Sequence, residues 1–242
     1  MSDINFLPRR LDRAWGRVAY PEALKSLLAM APGNPAYASF WDDFYGDALD
    51  ARYAADVGAG TQVVGVTAAL GGTMTLTTQG NQATDGAGIG LGLHWSGDRG
   101  IYFIARAKLN TLATSKFEIG LSDSAADEGG AVDTKSVPTF TATDCAVFVR
   151  DTTDDTNVTF VTNGGSVDAA ADWSGTFAAD TYYTFEIVVQ NNVASGYIDG
   201  QLVGTGNLEG GNALTPWAFC EQNDTAARTL TVDYWGIVGP RG

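Results

Sequence analysis

Two glutamates occupy alternating segments that could present carboxylates on one face of a β-strand. Glu118 lies within residues 116–121 and Glu186 within residues 185–190. A pair of carboxylates about 5 Å apart can cleave a glycosidic bond, one as nucleophile and one as acid. Neither glutamate has a second carboxylate two or four positions away. We therefore expect both to face solvent from amphipathic strands, and we expect the protein not to be an enzyme.

Other nucleophiles and metal ligands are sparse. His94 is the only histidine, and no Gly-x-Ser-x-Gly turn accompanies it, so we expect a structural position beside Trp95. Cys145 and Cys220 lie in apolar alternating segments without a Cys or His at ligand spacing. Since no secretory leader is recognisable, we expect two buried free thiols and no disulfide. The sequence indicates no cofactor.

Two aspartate-rich loops could offer oxygen ligands to calcium. One contains Asp151, Asp154 and Asp155, and the other runs from Asp123 to Asp127-Glu128. Neither loop has the spacing or the glycine of an EF-hand. Acidic residues are common in exposed loops, so the sequence predicts no metal, and calcium remains the alternative.

Exposed aromatic rings could serve as stacking platforms for sugars. Trp173, Tyr182 and Trp217 are the candidate glycan contacts. A tryptophan in a β-sandwich can equally belong to the core, which we expect for Trp235 in its alternating strand. The sequence does not decide which of these rings faces solvent.

The N-terminal residues form a basic arm on an acidic chain. Residues 1–39 carry a net charge of +2, which leaves −16 for the remainder of a chain whose total is −14. Arginine and tryptophan are enriched at interface hot spots, and a short segment can order on binding a partner. An unbound, solvated tail is the alternative. The residues that we expect to bind a partner are Phe6, Arg9, Arg10, Arg13, Trp15 and Arg17.

Charge and hydropathy exclude two classes of partner. A pI near 4.2 argues against nucleic-acid binding, because phosphates would be repelled. No segment approaches the roughly 20 apolar residues of a membrane span. We therefore expect neither nucleic acid nor membrane as a partner.

Short strands separated by turn residues run through most of the chain. The pattern predicts an arm and linker over residues 1–39, with a short helix at residues 21–30, and one all-β domain over residues 40–242. Many short strands with few helical segments favour a two-sheet antiparallel sandwich. The predicted strands are 61–67, 73–77, 88–95, 100–109, 116–122, 146–150, 157–162, 182–190, 194–199, 201–204, 217–221 and 229–238.

The segment 181–205 gives the strongest local signal. Alternation over residues 183–189 marks a half-buried strand, Asn191-Asn192 predicts a turn, and Asp199-Gly200 favours a type I′ hairpin. The closing segment, residues 228–238, also alternates. We expect its residues 230–235 to pair with a strand that begins near Trp41.

These hairpins and the closing strand resemble a concanavalin A-like (laminin-G-like) jelly roll. The resemblance covers roughly residues 40–238 and implies a two-sheet sandwich. Its motifs concern turns and core, so they carry no function by themselves. Glycoside hydrolases of this fold use a Glu-x-Asp-x-x-Glu strand, which this chain lacks.

An acidic, Gly/Thr/Ala-rich sandwich with an N-terminal arm resembles virion proteins of tailed bacteriophages, such as capsid decoration proteins. The resemblance implies location in the virion, attachment to the major capsid protein or another virion protein, and a homo-oligomer, with a trimer expected by analogy. A lectin-like carbohydrate-binding module is the alternative function.

Overall fold

The chain folds into two antiparallel β-sheets packed face to face. A computed structural model describes residues 37–46, 48–57, 63–67, 72–80, 85–92, 95–125, 129–164 and 168–240. Within these ranges the only helical element is a 3₁₀ turn at Gly97–Arg99. The all-β sandwich predicted from the sequence is confirmed. The predicted helix at residues 21–30 and the rest of the arm to residue 36 lie outside the described residues.

The strands of the described residues are numbered here in chain order. They are β1 Tyr37–Asp42, β2 Ala54–Val57, β3 Val63–Thr67, β4 Thr73–Thr77, β5 Gly86–Gly90, β6 Trp95–Ser96, β7 Ile101–Leu109, β8 Ser115–Ser122, β9 Val132–Thr134, β10 Thr139–Phe140, β11 Cys145–Asp151, β12 Thr159–Asn163, β13 Ala169–Asp172, β14 Tyr183–Gln190, β15 Val193–Ile198, β16 Gln201–Asn207, β17 Ala213–Gln222 and β18 Thr229–Pro240.

Two large sheets contain nearly all of these strands. Sheet I has the order β16-β15-β14-β7-β18-β4-β3, and β1 also pairs with β18. Sheet II has the order β13-β12-β11-β8-β17-β5-β2, and β6 also pairs with β17. β9 and β10 form a separate two-stranded hairpin. Strands that are distant in sequence, such as β7 and β18, are hydrogen-bonded neighbours in the same sheet.

The two predicted hairpin turns are confirmed by backbone conformation. Asn191 and Asn192 have φ of 51° and 63°, and Asp199 and Gly200 have φ of 49° and 77°. Two consecutive positive φ values define the type I′ turn, which matches the twist of the strands that it joins. These turns connect β14, β15 and β16 at one edge of sheet I.

The closing strand pairs with the start of the domain. β1 runs antiparallel to β18, with Phe40 opposite Ile237 and Trp41 opposite Gly236. The predicted pairing is therefore present, although it uses residues 235–240 of the closing strand. β1 begins at Tyr37, so residues 37–39, which the sequence assigned to the linker, belong to a strand.

The main core lies between the sheets. Inward residues of β7 and β14 alternate with outward ones, and Phe103, Phe185 and Trp235 are completely buried there. Cys145 and Cys220 are buried free thiols, as predicted, and burial raises the pKa of both, that of Cys220 to about 12. In the described part of the chain, no helix is long and apolar enough to cross a membrane.

Candidate functional site

The outer face of sheet II is covered by residues 129–143, which include the β9–β10 hairpin and are called the cover below. A second apolar core, separate from the one between the sheets, lies under the cover. Ala131 and Val132 of the cover are completely buried against sheet II. The sheet residues of this second core are Cys145, Val147, Val149, Val161, Trp217 and Phe219.

A buried carboxylate fastens the cover to the sheet. Glu118 on β8 is 0% exposed. Its Oε2 accepts hydrogen bonds from the backbone N–H of Ala131 (2.7 Å) and from Nε1–H of Trp217 (2.9 Å), and its Oε1 accepts from the N–H of Val132 (3.1 Å). Buried polar groups are costly without such partners. Glu118 therefore satisfies two amides of the cover and the indole beneath it.

Gly130 permits this close approach of backbone to carboxylate. Its φ is +96°, in the region that favours glycine. A Cβ at this position would lie 2.4 Å from Oε1 of Glu118. The neighbouring Gly129 has a similar φ of +83°, but a Cβ there would meet nothing within 4 Å. Glycine is thus required at position 130 for space as well as for conformation.

Lys116 supplies the positive charge of the site. Its Nζ lies 3.5 Å from Oε1 of Glu118 and donates to the backbone carbonyls of Gly129 (2.7 Å) and Val132 (2.5 Å). Glu221 on β17 and Asp151 on β11 stand opposite Lys116 in register. Strand alternation places all four side chains on the same outer face of sheet II.

The environments of Glu118 and Glu221 both raise the pKa of the carboxyl group. Burial raises the pKa of Glu118, while Lys116 and the N–H donors oppose that rise. Burial likewise raises the pKa of Glu221, to about 7, against the opposing effect of Lys116. Glu118 is sealed beneath the cover, so a substrate could not reach it without displacement of residues 129–143.

The aspartate-rich loops also fasten the cover. Lys135 is completely buried, and its Nζ donates to Oδ1 of Asp155 (2.5 Å) and to the carbonyl of Asn157 (3.0 Å). The backbone N–H of Lys135 donates to Oδ2 of Asp154 (2.7 Å). At the other end of the cover, Asp123 accepts from the N–H and hydroxyl of Thr143. Asp123, Asp154 and Asp155, which were considered as calcium ligands, thus each accept hydrogen bonds from protein donors, while Asp127 and Glu128 lie outside the described residues.

The three predicted glycan contacts occupy different places. Trp217 is completely buried under the cover, stacked on Phe219 with an interplanar angle of 10°, so the prediction that it contacts sugar is wrong for this conformation. Trp173 is partly buried and packs edge-on against Tyr183. Tyr182 is half-buried, and the Arg106 guanidinium lies 4.2 Å from its ring centroid. The three rings form no single platform.

Two further predictions need correction. Glu118 and Glu186 were expected to face solvent, but they are 0% and 1% exposed. The expectation assumed that the outer face of each sheet is solvated, whereas residues 129–143 lie over Glu118 on the outer face of sheet II. His94 and the arm residues Phe6, Arg9, Arg10, Arg13, Trp15 and Arg17 lie outside the described residues.

The residues that fasten the cover were mostly missed by sequence reasoning. From the sequence, no role was assigned to Lys116, Lys135 or Glu221, and Gly129-Gly130 was predicted only as a turn. Alternation along β8 does place Lys116 and Glu118 on one face, which was the available signal. Glu118 of β8 binds residues 13 and 14 positions further along the chain, and no local sequence pattern predicts a contact at that separation.

Solved structures resemble the sandwich over most of its length. A protein of unknown function, SO2946 from Shewanella oneidensis MR-1, has a TM-score of 0.62 at 8% identity, covering 93% of this chain and 95% of its own. The β-glucanase of Bacillus licheniformis has a TM-score of 0.58 at 14% identity, covering 83% and 97%. The carbohydrate recognition domain of Emp47p has a TM-score of 0.56 at 7% identity, covering 83% and 94%.

These likenesses establish the fold. The chain has the concanavalin A-like jelly-roll architecture that glucanases and carbohydrate-binding domains share. No protein-family model and no curated protein matches its sequence. At identities of 14% or less, shared architecture does not transfer activity.

The fit between Gly130 and Glu118 can be tested with two neighbouring glycines. Gly130→Ala and Gly129→Ala both place alanine at a positive φ, but only the former crowds Glu118. We expect Gly130→Ala to lower the free energy of unfolding by about 1–3 kcal/mol more than Gly129→Ala, because it disturbs a buried hydrogen-bonded carboxylate. Urea unfolding at neutral pH measures both. Equal losses of unfolding free energy would contradict the proposed fit between Gly130 and Glu118.

Glu221 should make stability depend on pH. Its pKa rises from an ordinary value of 4.5 to about 7 on folding, so its contribution is fully present below pH 4.5 and is lost as pH rises through 7. We expect Glu221→Gln to remove a decline of up to about 3 kcal/mol between pH 4 and 8. Burial also raises the pKa of Asp144, to about 6, but that slope is common to both proteins.

The control for this experiment is Asp168→Asn, which removes an exposed carboxyl. Unfolding of the three proteins is followed by urea titration at several pH values. If the free energy of unfolding of Glu221→Gln varied with pH in the same way as that of the control, the pKa of Glu221 would not be raised on folding.

Proposed function

We propose that the protein is a non-catalytic structural subunit of a tailed-bacteriophage virion, such as a capsid decoration or appendage protein, attached through its N-terminal arm. We infer the non-catalytic role from the outer face of sheet II, which the cover closes. Glu118 is completely buried, and its oxygens accept from Ala131, Val132 and Trp217. A carboxylate held in this way cannot approach a sugar.

The residue types along β8 also support a non-catalytic role. On the outward face of β8, the positions two residues to either side of Glu118 are Lys116 and Gly120. The Glu-x-Asp-x-x-Glu strand of glycoside hydrolases on this fold therefore has no counterpart here. The cover fills the outer face of sheet II with apolar side chains, so no open cleft lies over Glu118.

The charge distribution supports attachment through the arm. Residues 1–39 carry a net +2, while the remainder carries −16. A basic segment joined to an acidic body can bind an acidic surface and leave the body outside. Many copies on a symmetric particle would gain avidity without a strong single site. Major capsid or other virion proteins are the proposed partners, and a homotrimer is the proposed oligomer.

Glycan binding is the second candidate function. The carbohydrate recognition domain of Emp47p shares the architecture, and Trp173 remains partly exposed near the edge strands β13 and β16. Gly175 lies directly against its ring, where a Cβ would come within 2.3 Å of the indole. Because one side of the indole is occupied, only the remaining exposed part of the ring is available to a ligand.

Particle binding tests the structural proposal. We expect protein from the source culture to sediment with purified phage particles in a fixed ratio to the major capsid protein, measured by quantitative mass spectrometry. In reconstitution with particles lacking the protein, combined replacement of Arg9, Arg10, Arg13 and Arg17 by alanine should abolish binding, while the control Arg52→Ala should not. Absence from particles, together with glycan-array binding that Trp173→Ala abolishes, would favour the lectin function.

A further inference from the structure

A lysine and a glutamate are enclosed together beneath the cover. Lys116 and Glu118 lie two residues apart on β8, so their side chains share the outer face of sheet II. These side chains are 4% and 0% exposed, and Nζ of Lys116 lies 3.5 Å from Oε1 of Glu118. An amine and a carboxyl group are therefore adjacent in a site that water hardly reaches.

The ionised form of this pair is costly in such a site. Removing two charges from water has a large desolvation penalty, which their mutual attraction often fails to offset. Burial raises the pKa of Glu118, against the opposing effect of Lys116, and so favours the neutral acid. Transfer of one proton from the ammonium to the carboxylate leaves a neutral amine, which is a nucleophile, beside a carboxylic acid. These are the two reactants of amide formation.

The two oxygens of Glu118 have different surroundings. Oε2 accepts hydrogen bonds from the N–H of Ala131 (2.7 Å) and from Nε1–H of Trp217 (2.9 Å). Two fixed donors at one oxygen stabilise the negative charge that develops there when a nucleophile adds to the carbon. Oε1 faces Lys116 and accepts from the N–H of Val132 at 3.1 Å. Oε2 is therefore placed to remain as the carbonyl oxygen, and Oε1 to leave.

A neighbouring carboxyl group can transfer the proton. Glu221 on β17 stands opposite Lys116 in register and is 8% exposed. Burial raises the pKa of Glu221 to about 7, so acid and carboxylate are both populated at neutral pH. A group with a pKa near the working pH can accept a proton from the nitrogen and return it to the departing oxygen.

We propose that Lys116 and Glu118 condense to a side-chain amide, an isopeptide bond within β8, once the cover has closed. Nζ of Lys116 adds to Cδ of Glu118, the bond from Cδ to Oε1 breaks, and Oε1 leaves as water. The ammonium and the carboxylate together contain the atoms of the amide and of one water, so no other reactant is consumed. The inference concerns the chain by itself and does not rest on a role in the virion.

The amide fits the surroundings of the two side chains. Its oxygen keeps the donors of Ala131 and Trp217. Its N–H can donate to one of the carbonyls that Nζ of Lys116 contacts, those of Gly129 and Val132. The released water can take the place of Oε1 and accept from the N–H of Val132. Two buried charges are replaced by one neutral group, which removes their desolvation penalty.

A second lysine of the cover provides a matched comparison. Nζ of Lys135 lies 2.5 Å from Oδ1 of Asp155, but the Asp155 side chain is 38% exposed. Although burial acts in the opposite direction, the hydrogen bond from Lys135 holds the pKa of Asp155 below its ordinary value. An ionised carboxylate in contact with water is a poor acyl group. We therefore expect no amide between Lys135 and Asp155.

Mass spectrometry of the full chain tests the proposal. We expect the intact, denatured protein to be lighter than its sequence by the mass of one water. Trypsin should not cleave after Lys116, while it should still cleave after Lys135. The expected product is the peptide 109–135, lighter by one water. Its spectrum should lack fragments from breaks between residues 116 and 118, because the amide keeps the two parts joined.

Two substitutions separate the bond from the fold. Lys116→Arg keeps the positive charge but provides no amine, so we expect the full sequence mass. Glu221→Gln keeps the size of the side chain but transfers no proton, so we expect most of the newly made protein to keep the full mass. Circular dichroism verifies that each protein is folded. A wild-type protein of full mass that trypsin cleaves after Lys116 would overturn the proposal. A complete amide in Glu221→Gln would overturn the role of Glu221.

Discussion

The buried carboxylate of Glu118 is the interaction on which the outer face of sheet II depends. One side chain accepts from two amides of the cover and from the Trp217 indole, and Lys116 balances its charge from 3.5 Å. Removing one partner of such a buried pair is strongly destabilising. The glycine at position 130 follows from this arrangement, because a Cβ there would lie 2.4 Å from Oε1 of Glu118. The cover therefore behaves as part of the domain core.

The fold itself could be predicted from local sequence signals. Asp199-Gly200 specified a type I′ turn because its geometry suits few other residue pairs, and alternation in residues 183–189 located β14. The long-range pairing of the closing strand with the start of the domain also followed from architecture. Short strands without alternation, such as Ala54–Val57, Val132–Thr134 and Ala169–Asp172, were missed because neighbouring segments rather than their own residues define them.

The candidate site could not be predicted in the same way. Alternation identifies two faces of a strand but not whether another segment lies over the outer one, so Glu118 and Glu186 were assigned to solvent. Trp217 was considered a sugar platform for the same reason. The deciding contacts join β8 to residues 129–132 and Lys135 to the loop after β11, and each depends on chain closure that no periodicity records. A lysine or glutamate in an alternating strand has the same local sequence pattern whether its side chain is covered by another segment or exposed to solvent.

Residue-resolved hydrogen exchange of the native protein tests the central claim most directly. If Glu118 holds the cover closed, the amides of Ala131 and Val132 should exchange as slowly as amides in the middle of β8, and much more slowly than the amide of Val137 at the exposed hairpin turn. Exchange of Ala131 and Val132 at the rate of Val137 would show that the cover opens freely. The outer face of sheet II would then be accessible, and Glu118 would be available to a ligand.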